Sequence, residues 1–218
     1  MEKPKLKVKG IILDLDGTIV NSREAYLEAA KAAFAAIGQA VDIKIATEIP
    51  RRLEQNLSIN NMIKGADAKK FLDAYLKSYY KVTAIKTKPM PNVSEALEKL
   101  SRKAKLALTT MRYVPRGKVI KELEKFGLAK YFKLVVTALD TYHPKPSPEA
   151  LIICAKHLGI QINECAVVGD SIADVRTGRN VGAKTVAVLS GIFTREELEM
   201  EQPNLILKSV NELPDFLE

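Results

Sequence analysis

The sequence predicts an α/β protein: a parallel sheet flanked by helices, with an all-helical module inserted after the first strand. Three observations carry that prediction. Five short β-branched runs, at residues 7–13, 105–109, 134–137, 166–168 and 185–189, each end in polar residues or glycine and read as strands. Helical periodicity and helix-boundary residues fill the intervals between the last four, the alternation that builds a parallel sheet. The interval from Asn21 to about Lys88 breaks this rhythm, because it holds no strand-like run and repeats apolar residues at helical spacing.

The first run carries Gly10-Ile11-Ile12-Leu13 straight into Asp14-Leu15-Asp16-Gly17-Thr18. Beyond it, Tyr26, Ala30, Ala33, Phe34 and Ile37 share one helix face, and further helices are expected at about 43–57 and 67–86. Pro50 marks a start or kink there, and Gly65 a break. The chain leaves at Asn21 and returns near Pro89-Met90-Pro91, which divides it into residues 1–20 with 89–218 and residues 21–88. From Arg23 to Lys88 there are twelve basic and seven acidic side chains, a net of +5. After the return, Pro91-Asn92 precedes a helix over 93–101, and a second helix over 117–126 stops at Gly127. Ser147-Pro148-Glu149 reads as N-cap, first-turn proline and an acid at the positive end of the helix dipole, opening a helix that runs to Leu158 before Gly159. Thr194 and Glu197 are spaced as a capping box.

With 218 residues, 47% apolar and 28% charged, the chain has material for its own core without metal or disulfide staples. A formal charge of +8 favours anionic partners in general. The basic residues are scattered and aromatics make up 6%, which argues against a stacking platform for nucleic acid. No stretch approaches the roughly 18 apolar residues of a membrane span, so a soluble, cytoplasmic protein is expected, with no membrane partner. Cys154 and Cys165 match no zinc-ligand or C-x-x-C spacing and are read as buried free thiols. Oligomeric state has no signal in the sequence.

Chemistry concentrates at two strand ends. Asp14 and Asp16 stand where an apolar strand meets a loop, and Gly17 lets the backbone turn away at once. Carboxylates in such a place are costly to desolvate unless a cation or a reaction needs them. Val167-Val168-Gly169-Asp170-Ser171-Ile172-Ala173-Asp174 repeats the pattern, although Asp174 read alone is also a helix-start acid. In an open α/β sheet both clusters lie at the carboxyl ends of strands, where ligands bind. Three carboxylates converging there repel one another unless a divalent cation sits among them, and oxygen-only donors point to magnesium. Thr110, after the 105–109 strand, and Lys145, in His143-Pro144-Lys145-Pro146-Ser147, supply a hydroxyl and an ammonium of the kind a transferring phosphoryl group requires.

In this order, and with this insertion, the chain resembles the haloacid dehalogenase-like hydrolase superfamily. The four motifs that carry the resemblance are DLDGT at Asp14 to Thr18, Thr110, Lys145 in HPKPSPE, and GDSIAD from Gly169 to Asp174. The resemblance implies a Rossmann-like core with a helical cap, as in the phosphoglycolate phosphatase-like branch. It makes Asp14 the nucleophile that becomes an aspartyl-phosphate and Asp16 the acid/base. Asp14, Asp170 and the backbone carbonyl of Asp16 would hold Mg2+, Thr110 and Lys145 would hold the phosphoryl oxygens, and Asp174 would orient Lys145 or a water on the metal. The implied partner is a small phosphorylated metabolite, with phosphoglycolate the leading candidate. One departure is Met111, followed by Arg112, where relatives often carry a small or polar residue. The motif hydroxyl is either Thr109 or Thr110; Thr110 is preferred because it lies farther beyond the apolar strand. Arg51, Arg52 and Met111 are the candidate substrate-contacting residues, the arginines because a guanidinium matches a carboxylate or phosphate in two-point fashion.

Competing readings fail on particular residues. GRNVGAKT at 178–185 lacks the adjacent Gly-Lys-Thr of a phosphate-binding loop. His143 is expected to cap a backbone group. Hydrolytic dehalogenation needs neither metal nor leaving-group acid, so Asp16 and the GDSIAD acids argue against it. Phosphonate hydrolysis requires a Schiff-base lysine in the cap, and no lysine there, Lys44 included, stands out. A basic anion-binding protein without activity has no use for the acids. Phosphoglucomutase-like transfer uses the same core residues and stays open.

Overall fold

The structure is a computed structural model that describes residues 5–63 and 67–218. Its strands and helices follow one another in a simple order. Strand β1 (Gly10–Asp14) leads through the short β2 (Val20–Asn21) into helices α1 (Arg23–Ala36), α2 (Ile43–Glu54) and α3 (Ala68–Lys86), and β3 (Lys88–Pro89) returns. Then come α4 (Val93–Lys103), β4 (Lys105–Thr109), α5 (Arg116–Lys125) and β5 (Phe132–Val136), followed by α6 (Glu149–Leu158) and β6 (Cys165–Gly169). The chain closes with α7 (Ile172–Asn180), β7 (Lys184–Val188), α8 (Arg195–Met200) and β8 (Leu205–Leu207). It divides into two compact units, Met1–Val20 with Pro89–Glu218 and Asn21–Lys88.

In the larger unit six strands form a parallel sheet in the order β5-β4-β1-β6-β7-β8. Counted within that unit alone, this is the doubly wound order in which the chain builds outward to one side of the first strand and then to the other. The reversal falls between β1 and β6, so the crevice where ligands bind in such sheets opens beside Asp14 and Asp170. Ile11, Ile12 and Leu13 are fully buried, as a central parallel strand covered on both faces requires. Register places Asp14 opposite Thr109 and Leu13 opposite Val168.

Helix formation follows from local sequence. Val93, Ala96, Leu97 and Leu100 recur at helical spacing and form the buried stripe of α4. Gly159 terminates α6 in the left-handed conformation (φ 67°), which only glycine adopts without strain. Leu151, Cys154 and Leu158 of α6 pack with Ile12, Val136, Cys165 and Val167 in one core cluster. Both cysteines are buried and unpaired, and desolvation pushes the Cys154 thiol up to about 12 and the Cys165 thiol up to about 11.

The smaller unit is built on an alanine-rich α1 against α3. Small side chains at Ala25, Ala29, Ala30 and Ala33 are buried, and Tyr26 stacks on Tyr79 at 5.4 Å while Phe34 meets Phe71 edge-on at 5.1 Å. Asp42 and Asp67 cap α2 and α3 by accepting backbone N–H groups.

Several boundaries differ from those the sequence suggests. β1 begins at Gly10 rather than Lys7. Pro50 does not start α2; it lies inside the helix, which continues to Glu54 and stops before Asn56 at φ 55°. Thr137 is not strand: its backbone N–H and hydroxyl both donate to Asp140, closing a 3-10 turn. The sheet has a sixth strand, β8, whose three residues are too few to show a period in the sequence. Gly65 lies outside the described residues. Among the described residues no helix is long and apolar enough to cross a membrane.

Leu151→Ala is expected to lower the unfolding free energy by about 2–5 kcal/mol in urea titrations, since its side chain is fully buried in that cluster. A loss below about 1 kcal/mol would mean that α6 is not packed on the sheet as described.

Candidate functional site

The site grows from the ends of β1 and β6. Just past β1 the backbone folds tightly, with Ile19 N–H and Val20 N–H both donating to the Leu15 carbonyl, and Gly17 at φ 83° carries the turn. The Thr18 hydroxyl donates to Asp170 Oδ1 at 3.1 Å, tying the first acidic cluster to the second. Glycine is needed here for a further reason. A Cβ at Gly17 or Gly191 would overlap the Asp170 carboxylate, and one at Gly169 would overlap that of Asp174. The acids sit in slots that only glycine leaves open.

Lys145 joins the carboxylates. Its ammonium donates to Asp14 Oδ1 at 2.7 Å and to Asp174 Oδ1 at 2.6 Å, with all three residues buried. The other Asp174 oxygen accepts from the Ser171 hydroxyl (2.7 Å) and N–H (3.2 Å), while Asp174 N–H donates back to the Ser171 hydroxyl. Asp174 therefore serves at once as the helix-start acid of α7 and as the anchor of Lys145. Sequence spacing presented those as alternatives.

Burial dominates the electrostatics. It pushes Asp14 up to about 7, with Lys145 pulling down and Asp174 and Asp16 pushing further up. Burial first, then Asp14 and Asp174, raises Asp170 well above the usual carboxylate range. Burial also works against the Lys145 charge, but Asp14 and Asp174 outweigh it and raise the lysine, which stays cationic. One ammonium among Asp14, Asp170 and Asp174 leaves two negative charges uncompensated when all three ionise.

These residues fit a small divalent cation. Oxygen atoms of Asp14, Asp170 and Asp174 all lie within 4.8 Å of one another, the donor set is oxygen only, and the charge deficit matches. Asp16 presents its backbone in the same turn, between Asp14 and Gly17.

The loop after β4 brings a second cation that sequence reading named without giving it a role. Arg112, 4% exposed, grips Asp16 side-on, Nε donating to Oδ2 at 2.8 Å and Nη2 to Oδ1 at 2.6 Å. Its Nη1 donates to Glu122 Oε2, and Nη2 reaches Glu122 Oε1 at 3.4 Å. A signal for this was present: Glu122 is an acid on the buried stripe of α5, beside Val119 and Leu123. An acid in an apolar stripe needs a partner.

The remaining candidates are placed as follows. Thr109 and Thr110 are both buried; Thr109 ends β4, whereas the Thr110 N–H donates to the Val136 carbonyl and its hydroxyl accepts the Arg112 N–H at 3.2 Å. Met111 is half-buried between them and Arg112. Arg51 and Arg52 lie on α2, in the smaller unit, where each Nε donates to Glu48 (3.0 and 3.2 Å) and Arg52 Nη1 donates to the Ser58 carbonyl. His143 does not cap a backbone group. Its exposed ring pairs with Glu149, and it is Glu149 that takes the Tyr142 and His143 N–H groups.

Comparison with known proteins identifies the family and the fold. Residues 11–188 match the family model described as haloacid dehalogenase-like hydrolase. The phosphoglycolate phosphatase of Escherichia coli K12 is 26% identical over 230 residues, covering 94% of this chain and 91% of that protein. A haloacid dehalogenase-like family hydrolase from Streptococcus pneumoniae superposes with a TM-score of 0.82 at 18% identity, over 95% of this chain and 97% of that one. A Thermotoga maritima protein assigned as a β-phosphoglucomutase gives 0.68 at 21% identity, over 95% and 97%. At these identities the two structures speak for the fold.

The raised Asp14 value has a consequence for stability. Between the ordinary carboxylate value and about 7 the folded chain binds more protons at Asp14 than the unfolded one, so this group's contribution falls as pH rises. In chelator, Asp14→Asn is expected to melt increasingly above wild type as pH is raised from about 4 to about 8, and magnesium should shrink that difference by stabilising wild type. Scanning calorimetry that finds a pH-independent difference, unmoved by magnesium, would count against a cation site at these acids.

Proposed function

The chain belongs to the haloacid dehalogenase-like hydrolase family and is an enzyme of its phosphatase kind, and from that premise we propose that it is a magnesium-dependent phosphatase of small soluble phosphomonoesters. The reaction proceeds through an aspartyl-phosphate on Asp14, and phosphoglycolate is the leading substrate. In this reading residues 1–20 with 89–218 are the catalytic core and residues 21–88 the cap. The observation that carries the proposal is the Lys145 ammonium held between Asp14 and Asp174, with Asp170 beside them.

Each residue then has a task. An Asp14 oxygen attacks phosphorus as the ester oxygen leaves, so one P–O bond forms and one breaks. Asp16 gives the departing oxygen its proton, then takes a proton from the water that attacks the aspartyl-phosphate, and so ends the cycle as it began. Lys145 and the Thr110 hydroxyl hold phosphoryl oxygens, and Asp174 keeps Lys145 in place. Asp14, Asp170 and the Asp16 carbonyl would hold the magnesium ion, which when bound offsets the repulsion between the nucleophile and an anionic substrate. The E. coli relative, named as a phosphoglycolate phosphatase, supports that substrate over others.

Transfer to a sugar hydroxyl is the second reading, favoured by the fold shared with the T. maritima protein. It differs only in what accepts the phosphoryl group from Asp14.

Phosphate release from phosphoglycolate, sugar phosphates, nucleotides and nitrophenyl phosphate is expected to need magnesium, to stop in chelator, and to fall by at least about a thousandfold in Asp14→Asn with the melting curve still cooperative. Release that survives in Asp14→Asn would remove it as the nucleophile, and transfer to an added sugar phosphate without free phosphate would favour the mutase reading. Asp16→Asn should cost about 10²–10⁴ in kcat toward alkyl phosphates and much less toward nitrophenyl phosphate, whose leaving group needs little protonation. Equal losses on both would make Asp16 a structural residue.

A further inference from the structure

We infer that Arg112 is the positioning residue for Asp16, fixing its carboxyl by a two-point clamp that Glu122 in turn holds steady. The inference rests on the reading of Asp16 as the acid/base.

The geometry sets Arg112 apart from a residue that only stabilises the fold. Arg176 makes the same side-on contact with Glu201, at 2.9 and 2.7 Å, but its side chain is 53% exposed and a single acid satisfies it. Arg112 is buried, and a buried guanidinium is tolerable only when its charge and its donors are met. Two carboxylates from different elements meet it: Asp16 from the turn after β1, Glu122 from the middle of α5. The Arg112 contact thus joins the β1 turn to the β4–α5 connection at the acid that must reach the leaving group.

Lysine and arginine are used differently at the two aspartates of the first motif. Lys145 is a point charge and donates to one oxygen of Asp14. Arg112 engages both oxygens of Asp16, which fixes the plane of the carboxyl as well as its position. A carboxyl that hands a proton to a leaving oxygen must present a defined oxygen within hydrogen-bond reach, and a misplacement of an ångström is costly. Nη2 also lies between two acceptors, Asp16 Oδ1 at 2.6 Å and Glu122 Oε1 at 3.4 Å. Nη2 therefore keeps an acceptor in Glu122 when Oδ1 engages substrate. The clamp keeps Asp16 aimed.

The test compares kcat and KM on nitrophenyl phosphate with those on whichever of phosphoglycolate, glycerol phosphate or glucose 6-phosphate the wild type turns over fastest. Arg112→Lys keeps the charge and loses the two-point grip. It should lower kcat on the alkyl phosphate by about tenfold or more, on nitrophenyl phosphate by less than about threefold, and leave KM within about threefold on both. In the Asp16→Asn background the same change should cost less than about threefold further on the alkyl phosphate, because a residue acting through Asp16 has nothing left to position. Glu122→Gln, which leaves the Arg112–Asp16 contact in place, should show the same substrate split at about three- to tenfold and covers the case in which Arg112→Lys fails to fold. Equal losses on the two substrates, an effect confined to KM, full additivity with Asp16→Asn, or no split in Glu122→Gln would each overturn the inference while leaving the phosphatase reading intact. A wild-type chain that releases no phosphate with magnesium would overturn both.

Discussion

Negative charge buried at the carboxyl ends of β1 and β6 is the constraint that organises the larger unit. Asp14, Asp170 and Asp174 lie close enough to share one cation, and burial raises the cost of every charge among them. Lys145 relieves part of that cost and cannot relieve all of it. Its ammonium holds Asp14 and Asp174 to one point, and Ser171 holds Asp174 from behind, so the nucleophilic candidate is aimed by a chain of charge-assisted hydrogen bonds running back into the first turn of α7. The remaining deficit is one that a divalent cation would offset.

The doubly wound order explains why these residues can meet at all. Asp14 and Asp170 are 156 positions apart in sequence but end neighbouring strands, and the reversal of winding between those strands leaves the crevice uncovered by a crossover helix. Lys145 comes from the connection after β5 and Arg112 from that after β4, so each strand on one side of β1 delivers a cation to its acids. Glycines at 17, 169 and 191 supply the space, since a methyl group at any of them would meet a carboxylate.

Two cations of different kinds divide the work. A lysine at Asp14 provides charge without fixing the carboxyl plane, which in the proposed mechanism leaves an oxygen free to turn toward phosphorus. An arginine at Asp16 fixes orientation, which in the same proposal suits a proton carrier. Glu122 belongs to this group although it is distant in function from any phosphate, because without it the outer edge of a buried guanidinium faces the apolar stripe of α5.

What the sequence by itself determined is local. Apolar runs ending in acids located the β1 and β6 clusters, the lapse of strand rhythm marked residues 21–88, and Thr194 with Glu197 announced its own cap. Those features depend on neighbours in the chain, and the motif order at Asp14, Thr110, Lys145 and Asp170 could be followed from them to a family. β8 was invisible because three residues hold no period, and the start of β1 was misplaced because lysines at 7 and 9 alternate with apolar residues whether or not the backbone pairs. The Arg112–Asp16–Glu122 clamp and the double service of Asp174 were decided only by tertiary structure. A guanidinium has no preferred partner in sequence, and its choice is made by the desolvation cost of the acids that the sheet and α5 bring within reach.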